Sequence, residues 1–198
     1  MKDVSNLERQ EQLEYYKTQI SNVEFEKIED FLTEKSDVFL KELGEQFNQC
    51  FHIMKFRVTN DFELSSGSMG TLSFLTEVLN HKSLTPFISD LGVHEQKYVL
   101  TKDVRGVSSL YTLLGDLCSV LVFGGAYSSG TKLKEEELIQ TVKSFIDDFL
   151  PGGYKNYDYF ITYEPWNKWF CKVAWDATFL ILNRNRKELN IICLTDSD

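Results

Sequence analysis

Two apolar segments near the C-terminus constrain the fold of this chain more than any other feature. Residues 174–182 and 189–194 are rich in Phe, Ile and Leu, and a polar stretch at 183–188 separates them. This arrangement is typical of two strands joined by a hairpin loop. Neither segment alternates regularly between apolar and polar residues, so we expect both faces of the resulting sheet to be covered.

Helical periodicity dominates the chain upstream of these strands. Apolar residues recur at helical spacing in the ranges 5–20, 24–35, 38–47, 71–80, 108–121 and 138–149. The fifth of these is hydrophobic on most of its circumference, which predicts a central helix. Residues 51–58 fit either a strand or a continuation of the preceding helix, and residues 157–163 read as a strand.

These patterns predict an α+β fold, with five or six helices packed on a small, mainly C-terminal antiparallel sheet. The 198 residues suit one domain in three parts: an acidic helical part (1–50), a helical core (51–150) and a β-rich part (151–198). Apolar residues make up 42% of the chain and aromatic residues 14%, which is typical of a packed globular protein.

The charge of the chain limits its partners. The net charge is −9, and residues 1–50 alone hold 6 basic and 12 acidic side chains. Such acidity disfavours direct contact with nucleic acid or anionic membranes and favours a basic partner. The acidic helices are either a solvated face or a docking surface, and in the second case Glu24, Glu29 and Asp30 are candidate contacts.

Cysteine usage and the N-terminus indicate a cytoplasmic protein. Cys50, Cys118, Cys171 and Cys193 form no C-x-x-C pair, and each lies in an apolar run typical of a buried thiol. The first residues are charged and lack the apolar segment of a signal peptide. No stretch of 18 apolar residues predicts a membrane span.

No motif identifies a catalytic centre or a cofactor site. The three histidines, His52, His81 and His94, stand in no zinc-binding or nucleophile-activating pattern, so we predict structural or surface roles for them. Asp176, Asp196 and Asp198 could together bind Mg²⁺ or Ca²⁺, but two of them lie where chains usually fray. We therefore predict no catalytic residue, no cofactor and no metal.

Two glycine-rich segments precede helices. The first, Gly67-Ser68-Met69-Gly70, lacks the lysine and the preceding strand of a phosphate-binding loop and reads as a plain loop. The second runs from Gly124 to Lys132 with the sequence Gly-Gly-Ala-Tyr-Ser-Ser-Gly-Thr-Lys. It matches no nucleotide-binding motif either. It is either a connecting loop or a loop that contacts an anion or a partner.

The aromatic block after Pro165 is the best candidate for a binding surface, because Trp and Tyr are enriched at binding hot spots. All three tryptophans lie within ten residues. Trp175 falls in a predicted strand and is assigned to the core, whereas Trp166 and Trp169 fit either core or surface. The candidate partner contacts are Trp166, Trp169, Tyr163, Tyr127, Glu24, Glu29 and Asp30.

Several short segments resemble one class of proteins. They are Gly124-Gly125-Ala126-Tyr127, Trp169-Phe170, Trp175-Asp176-x-Thr178 and the C-terminal Thr195-Asp196-Ser197-Asp198. Together they resemble the C-terminal half of small acidic bacterial immunity proteins, which are encoded beside polymorphic or contact-dependent toxins. The resemblance spans roughly residues 105–198. It implies a cytoplasmic single-domain protein that blocks a toxin nuclease domain by tight binding, without catalysis.

The leading hypothesis is therefore a non-enzymatic binding protein that neutralises a basic protein, most specifically an immunity protein. The alternative is an enzyme, or a regulatory protein that sequesters a small ligand. Its site would lie near the loop at 124–132 and the aromatic block at 166–176. A deep cavity between these two segments would favour the alternative.

Overall fold

The computed structural model describes residues 8–59, 71–84, 86, 104–107, 110–183 and 185–196. The strands in these ranges are β1 (Phe25–Lys27), β2 (Phe51–Val58), β3 (Val104–Val107), β4 (Tyr157–Thr162), β5 (Ala177–Asn183) and β6 (Glu188–Leu194). The helices are α1 (Arg9–Ile20), α2 (Asp37–Gln46), α3 (Thr71–Leu79), α4 (Leu110–Phe123) and α5 (Glu135–Phe149), with short 3-10 turns at Glu34–Ser36 and Tyr154–Asn156. The strands form one antiparallel sheet in the order β1-β2-β6-β5-β4-β3.

The predicted α+β class and the predicted C-terminal hairpin are both confirmed. β5 and β6 pair from Ala177 with Leu194 to Asn183 with Glu188, and they occupy the centre of the sheet. Every residue of both strands is buried. Central strands with both faces covered have no side exposed to water, which explains why the sequence lacks polar alternation here.

Helices cover the two faces of the sheet separately. Side chains alternate across each strand, so Phe179 and Ile192 face one side while Leu180 and Ile191 face the other. The first side packs against α2, α4 and α5. The second packs against α1, α3 and the aromatic residues of the segment 166–170. The chain thus forms three layers, with the sheet in the middle.

The helices α2 to α5 confirm the periodicity on which they were predicted. The buried residues of α5 form a single stripe: Leu138, Val142, Phe145, Ile146 and Phe149. Phe145 stacks on Phe39 of α2 with 4.0 Å between the ring centroids. However, α4 is not fully enclosed, although its apolar circumference predicted a central helix. Its C-terminal residues Val122 and Phe123 are exposed, and Phe123 is 75% accessible to solvent.

The prediction of a helix at residues 24–35 is wrong. This segment forms β1, which pairs with β2 from Phe25 opposite Val58 to Lys27 opposite Phe56. The amide of Ile28 continues the ladder by donating to the carbonyl of Lys55 at 2.8 Å. An unpaired edge of β2 offers hydrogen bonds that a short isolated helix cannot match, so sheet pairing overrides the local period. The same pairing resolves the ambiguity of residues 51–58, which form strand β2.

A carboxylate on α5 fastens the segment that follows β1. Asp148 accepts hydrogen bonds from the Thr33 amide at 2.8 Å, the Thr33 hydroxyl at 2.9 Å and the Ser36 hydroxyl at 2.6 Å. Partial burial of Asp148 by itself raises its pKa, but these bonds and the charge of Lys35 more than offset that, so the pKa lies below its usual range.

Replacing Asp148 with Ala is expected to lower the free energy of unfolding by about 1–2 kcal/mol at neutral pH, because three hydrogen bonds to a partly solvated carboxylate are lost. A lowered folded-state pKa stabilises the fold above the unfolded-state pKa. The advantage of the wild type should therefore shrink as the pH falls below about 4. Urea unfolding of the wild type and the variant across this pH range measures the difference in stability.

The matched control is Asp147→Ala, which removes the neighbouring carboxylate of α5. Asp147 lies on the surface and forms an ion pair with Lys143. An exposed pair of this kind contributes about 0.5 kcal/mol. Equal losses in the two variants, or a loss at Asp148 that does not depend on pH, would contradict the assignment.

Candidate functional site

Three segments converge at one end of the sheet. This end is formed by Phe51 at the start of β2, Leu194 at the end of β6 and Ala177 at the start of β5, which lie in register. The loop between α4 and α5 and the loop between β4 and β5 both arrive here, and the chain leaves β6 between them. The two segments that the sequence analysis singled out are therefore neighbours in space.

Thr195 ties the β4–β5 loop to the end of β6. Its amide donates to the carbonyl of Cys50 at 3.1 Å, and its hydroxyl donates to a carboxylate oxygen of Asp176 at 2.6 Å. The same hydroxyl accepts a hydrogen bond from the amide of Cys171 at 3.0 Å. The second oxygen of Asp176 accepts from the amide of Val173 at 3.1 Å. Both oxygens of Asp176 are thus engaged by donors of the protein.

Asp196 ties the loop between α4 and α5 to the same end. Its carboxylate accepts hydrogen bonds from the amide of Ala126 and from the side-chain amide of Asn48, the latter at 3.1 Å. The neighbouring amide of Gly125 donates to the carbonyl of Gln46 at 3.1 Å. The glycine-rich loop does bind a carboxylate through its backbone, but the carboxylate belongs to the chain itself. An external anion would have to displace Asp196.

The rest of this loop is held by hydrogen bonds to α2 and α4. Gly124 has a φ of +61° and ends α4 in the left-handed conformation that favours glycine. The amide of Thr131 donates to the carbonyl of Leu121 at 2.8 Å, and its hydroxyl donates to Glu42 at 2.5 Å. The loop is therefore a tightly fastened connection.

The three tryptophans have different environments. Trp166 is 1% accessible, and its indole N–H donates to the hydroxyl of Thr178 at 2.8 Å, so it lies in the core and offers no side chain to a partner. Trp169 is partly buried against the rings of His52 and Phe170, at 5.0 and 5.1 Å between centroids.

The prediction of a core position for Trp175 is wrong. Its side chain is 40% accessible. The reason is local: β5 begins only at Ala177, and Trp175 lies in the turn before it. In this turn the amide of Asp176 donates to the carbonyl of Val173, and the amide of Val173 donates to the carboxylate of Asp176. Trp175 in this turn is exposed, whereas every residue of β5 is buried.

A groove of about 170 Å³ opens between α4 and the β4–β5 loop. One wall is a stripe of α4 at helical spacing: Asp116, Ser119, Val120 and Phe123. Tyr163 and Trp175 lie on the opposite side, and the apolar ends of the strands form the floor. Tyr163 is 53% accessible, so the groove is rimmed by aromatic rings that already face solvent.

A second, more polar cavity of about 260 Å³ adjoins the groove. Gln46 lines this cavity, and the next residue, Phe47, lines the groove. Glu42, Glu45, Tyr127 and Lys132 are among its lining residues. We call the combined region the aromatic–acidic surface and define it by Phe123, Tyr127, Tyr163, Trp175, Asp116, Glu42 and Glu45.

The predicted acidic contacts do not belong to this surface. Glu24, Glu29 and Asp30 are all exposed, but none of them is among the residues that line the two cavities, and Glu24 adjoins β1 at the Val58 end of β2. The groove lies at the Phe51 end, and the eight residues of β2 separate the two ends by roughly 20 Å. Of the predicted partner contacts, Tyr127 and Tyr163 are exposed on the aromatic–acidic surface. The sequence analysis missed Phe123, Asp116, Glu42 and Glu45.

Several groups suited to acid–base or nucleophilic chemistry lie outside this surface. The side chains of His81, Cys193 and Lys55 are buried, whereas Cys171 is exposed. Burial lowers the pKa of His81 and raises that of the Cys193 thiol to about 12. Lys55 is buried too, and burial lowers its pKa; its ammonium donates to the carbonyl of Phe149 at 2.7 Å. In the part of the chain that the structure describes, no histidine or cysteine lines either cavity.

Three of the earlier hypotheses concern residues outside the described ranges: His94, the loop at residues 67–70 and Asp198. Among the described residues, no group of three metal-ligating side chains is arranged to hold an ion, and the four cysteines are all reduced. None of the described helices combines the length and apolarity needed to cross a membrane.

Comparison of this chain with protein-family models, with curated proteins and with solved structures found no match.

Replacing Asp196 with Asn is expected to lower the free energy of unfolding by about 1–3 kcal/mol, because the single oxygen of Asn cannot accept the hydrogen bonds of both the Ala126 amide and the Asn48 side chain. Backbone amides of residues 125–131 should also exchange faster with deuterium. The control is Glu136→Gln, which removes one exposed carboxylate of α5. Unchanged exchange in the loop would contradict the role assigned to Asp196.

Tryptophan fluorescence checks the assignment of the three indoles, because the chain contains no others. Trp175→Phe should remove most of the emission that acrylamide quenches, since Trp175 is the most exposed of the three. Trp166→Phe should instead remove emission that is protected from the quencher. The opposite order would mean that Trp175 is enclosed.

Proposed function

We propose that this protein is a non-enzymatic binding protein that neutralises a basic protein partner in the cytoplasm. The specific form of the proposal is an immunity protein that blocks a toxin nuclease domain. The observation that carries the proposal is the aromatic–acidic surface, in which four exposed aromatic side chains adjoin three carboxylates.

The chemistry of this surface suits protein binding. Phe123, Tyr127, Tyr163 and Trp175 are large apolar side chains at the outside of the molecule, and contact with a partner would remove them from water. Aromatic residues of this kind commonly dominate the free energy of binding at the centre of an interface. The carboxylates around them favour a partner with basic residues at matching positions.

The charge of the whole chain supports the same partner class. A net charge of −9 attracts a basic protein over distances longer than direct contact and raises the rate of association. Nuclease domains are typically basic around the groove that binds their substrate. A protein that covers such a groove would block catalysis without chemistry of its own.

Rigidity of the surface also favours tight binding. The hydrogen bonds of Thr195 and Asp196 hold the loops that carry Tyr127 and Trp175 against the sheet. A surface that is already ordered before binding loses less conformational entropy when the complex forms. The resemblance of residues 105–198 to immunity proteins points in the same direction, and these residues include most of the surface.

The alternative is an enzyme or a ligand-sequestering protein with its site in the groove. The groove lies between the loop at 124–132 and the block at 166–176, which is the position that this alternative requires. The lining residues within the described ranges weigh against an enzyme, because Asp116 is the only acid among them and none is a histidine, cysteine or lysine. Native mass spectrometry of the purified protein tests the ligand-sequestering form, which predicts a co-purified small molecule.

The experiment that tests the proposal is co-expression of the tagged protein with the product of the adjacent gene in a catalytically inactivated form. A stoichiometric complex is expected, together with an increase in stability of about 2.7 kcal/mol at a partner concentration one hundred times the Kd. Failure to form a complex would overturn the immunity form of the proposal.

Variants of the aromatic–acidic surface test where the partner binds. Phe123→Ala and Tyr163→Ala should each weaken the complex by about 1–2 kcal/mol, measured by calorimetry, because both side chains are exposed and their loss does not open the core. Tyr111→Ala is the matched control, since Tyr111 is equally exposed at the other end of α4. Equal losses in all three variants would place the interface elsewhere.

A further inference from the structure

One side of α4 faces outward and carries no charged side chain. The residues of this side recur at helical spacing, and we call them the uncharged face: Tyr111, Leu114, Gly115, Cys118 and Val122. Tyr111 is 69% accessible to solvent and Val122 is 47% accessible. Asp116 is the only charged residue of the helix, and it lies on the side of the groove, roughly 130° around the axis from the uncharged face.

The packing of α4 in the core does not use the uncharged face. The residues that join α4 to the core lie on its inner side and are fully enclosed: Leu110, Leu113, Leu117 and Leu121. At one end of the uncharged face the ring of Tyr111 meets that of Tyr154, with 5.1 Å between the centroids, and Tyr111 is still largely accessible. A contiguous group of exposed apolar side chains marks a place where another surface binds.

The charge of the chain distinguishes between the possible occupants. The basic partner of the proposed function is attracted by carboxylates, and the uncharged face contains none. A second copy of the chain also has a net charge of −9, so two copies repel each other wherever their acidic surfaces meet. They approach most favourably through a side that has no charge and much apolar area, which are the two properties of the uncharged face.

The order of residues along α4 is complementary to itself. A twofold axis through the middle of the helix, between residues 116 and 117, pairs two copies of α4 antiparallel. The large ring of Tyr111 then lies opposite the smaller Val122 of the partner subunit, and Gly115 lies opposite the partner subunit's Cys118. A Cβ atom added at Gly115 would meet no atom within 4 Å, so a second helix has the space to approach closely there.

We propose that the uncharged face is the contact surface of a weak, twofold-symmetric homodimer. With the residues that flank it, the face offers on the order of 400–500 Å² per copy, since a fully enclosed Tyr or Phe buries roughly 150–250 Å². A total of about 1,000 Å² is at the lower limit for a specific interface, so a Kd of about 10–100 µM is expected. The inference goes beyond the proposed function and does not depend on it.

The test is sedimentation velocity of the full-length protein alone, from about 5 to 500 µM, a range that brackets the expected Kd. Gly115→Gln is the diagnostic variant, because its side chain has open space in the monomer but stands at the closest approach of the two helices. We expect it to weaken the dimer at least tenfold. Its urea midpoint should equal or exceed that of the wild type, since glycine is unfavourable inside a helix.

Thr18→Gln is the matched control. It introduces the same side chain at an exposed helical position, on α1, which covers the opposite side of the sheet. The dimer should be unchanged in this variant.

The response to salt provides an independent readout. Raising the NaCl concentration from about 0.05 to 0.5 M shortens the Debye length and screens the repulsion between two acidic copies, so the dimer should become tighter. A complex with a basic partner should respond in the opposite direction, because screening weakens its attraction.

Three results would overturn the inference. A protein that is monomeric at the highest concentration forms no such dimer. A dimer that Gly115→Gln leaves unchanged is formed through another surface. A dimer that weakens as salt is added is held by charges, which the uncharged face does not contain. None of these results bears on the proposed function, because the experiment contains no toxin domain.

Discussion

The hydrogen bonds made by Thr195 and Asp196, the two residues after β6, hold together everything that the candidate surface depends on. Thr195 engages Asp176 and the amide of Cys171, and Asp196 engages the amide of Ala126. Without these bonds the amides of Cys171 and Ala126 would lose their polar partners at this end of the sheet, and partly buried amides without partners are costly. Asp176 and Asp196, which the sequence analysis considered as metal ligands, thus accept hydrogen bonds from the protein itself.

This arrangement rests on a sheet that is covered on both sides. Because β5 and β6 are buried at every residue, the ends of the strands are fixed in position and provide a firm base for the loops. The loops that carry Tyr127 and Trp175 are joined to that base by hydrogen bonds. A surface with apolar groups and surrounding carboxylates on such a base is suited to recognition.

Much of the fold could be predicted from the sequence, and the failures have specific causes. The stripe of α5 and the apolar strands are local patterns, and local patterns are reliable when they are long. Residues 24–35 also had a helical period, but the free edge of β2 decided their structure. The candidate site was predicted only in part. Tyr127 and Tyr163 were identified, but Trp175 was assigned to the core because its strand was predicted to begin three residues too early.

The sequence by itself determined the α+β class, the acidity, the buried stripe of α5 and the C-terminal hairpin, because these follow from composition and from periodicity along the chain. Only the tertiary structure decided which polar residues meet. Asp116, Glu42 and Trp175 are far apart in the sequence, and no local signal relates them. They share one surface because strand order and helix packing bring distant segments together, and these depend on the free energy of the whole fold.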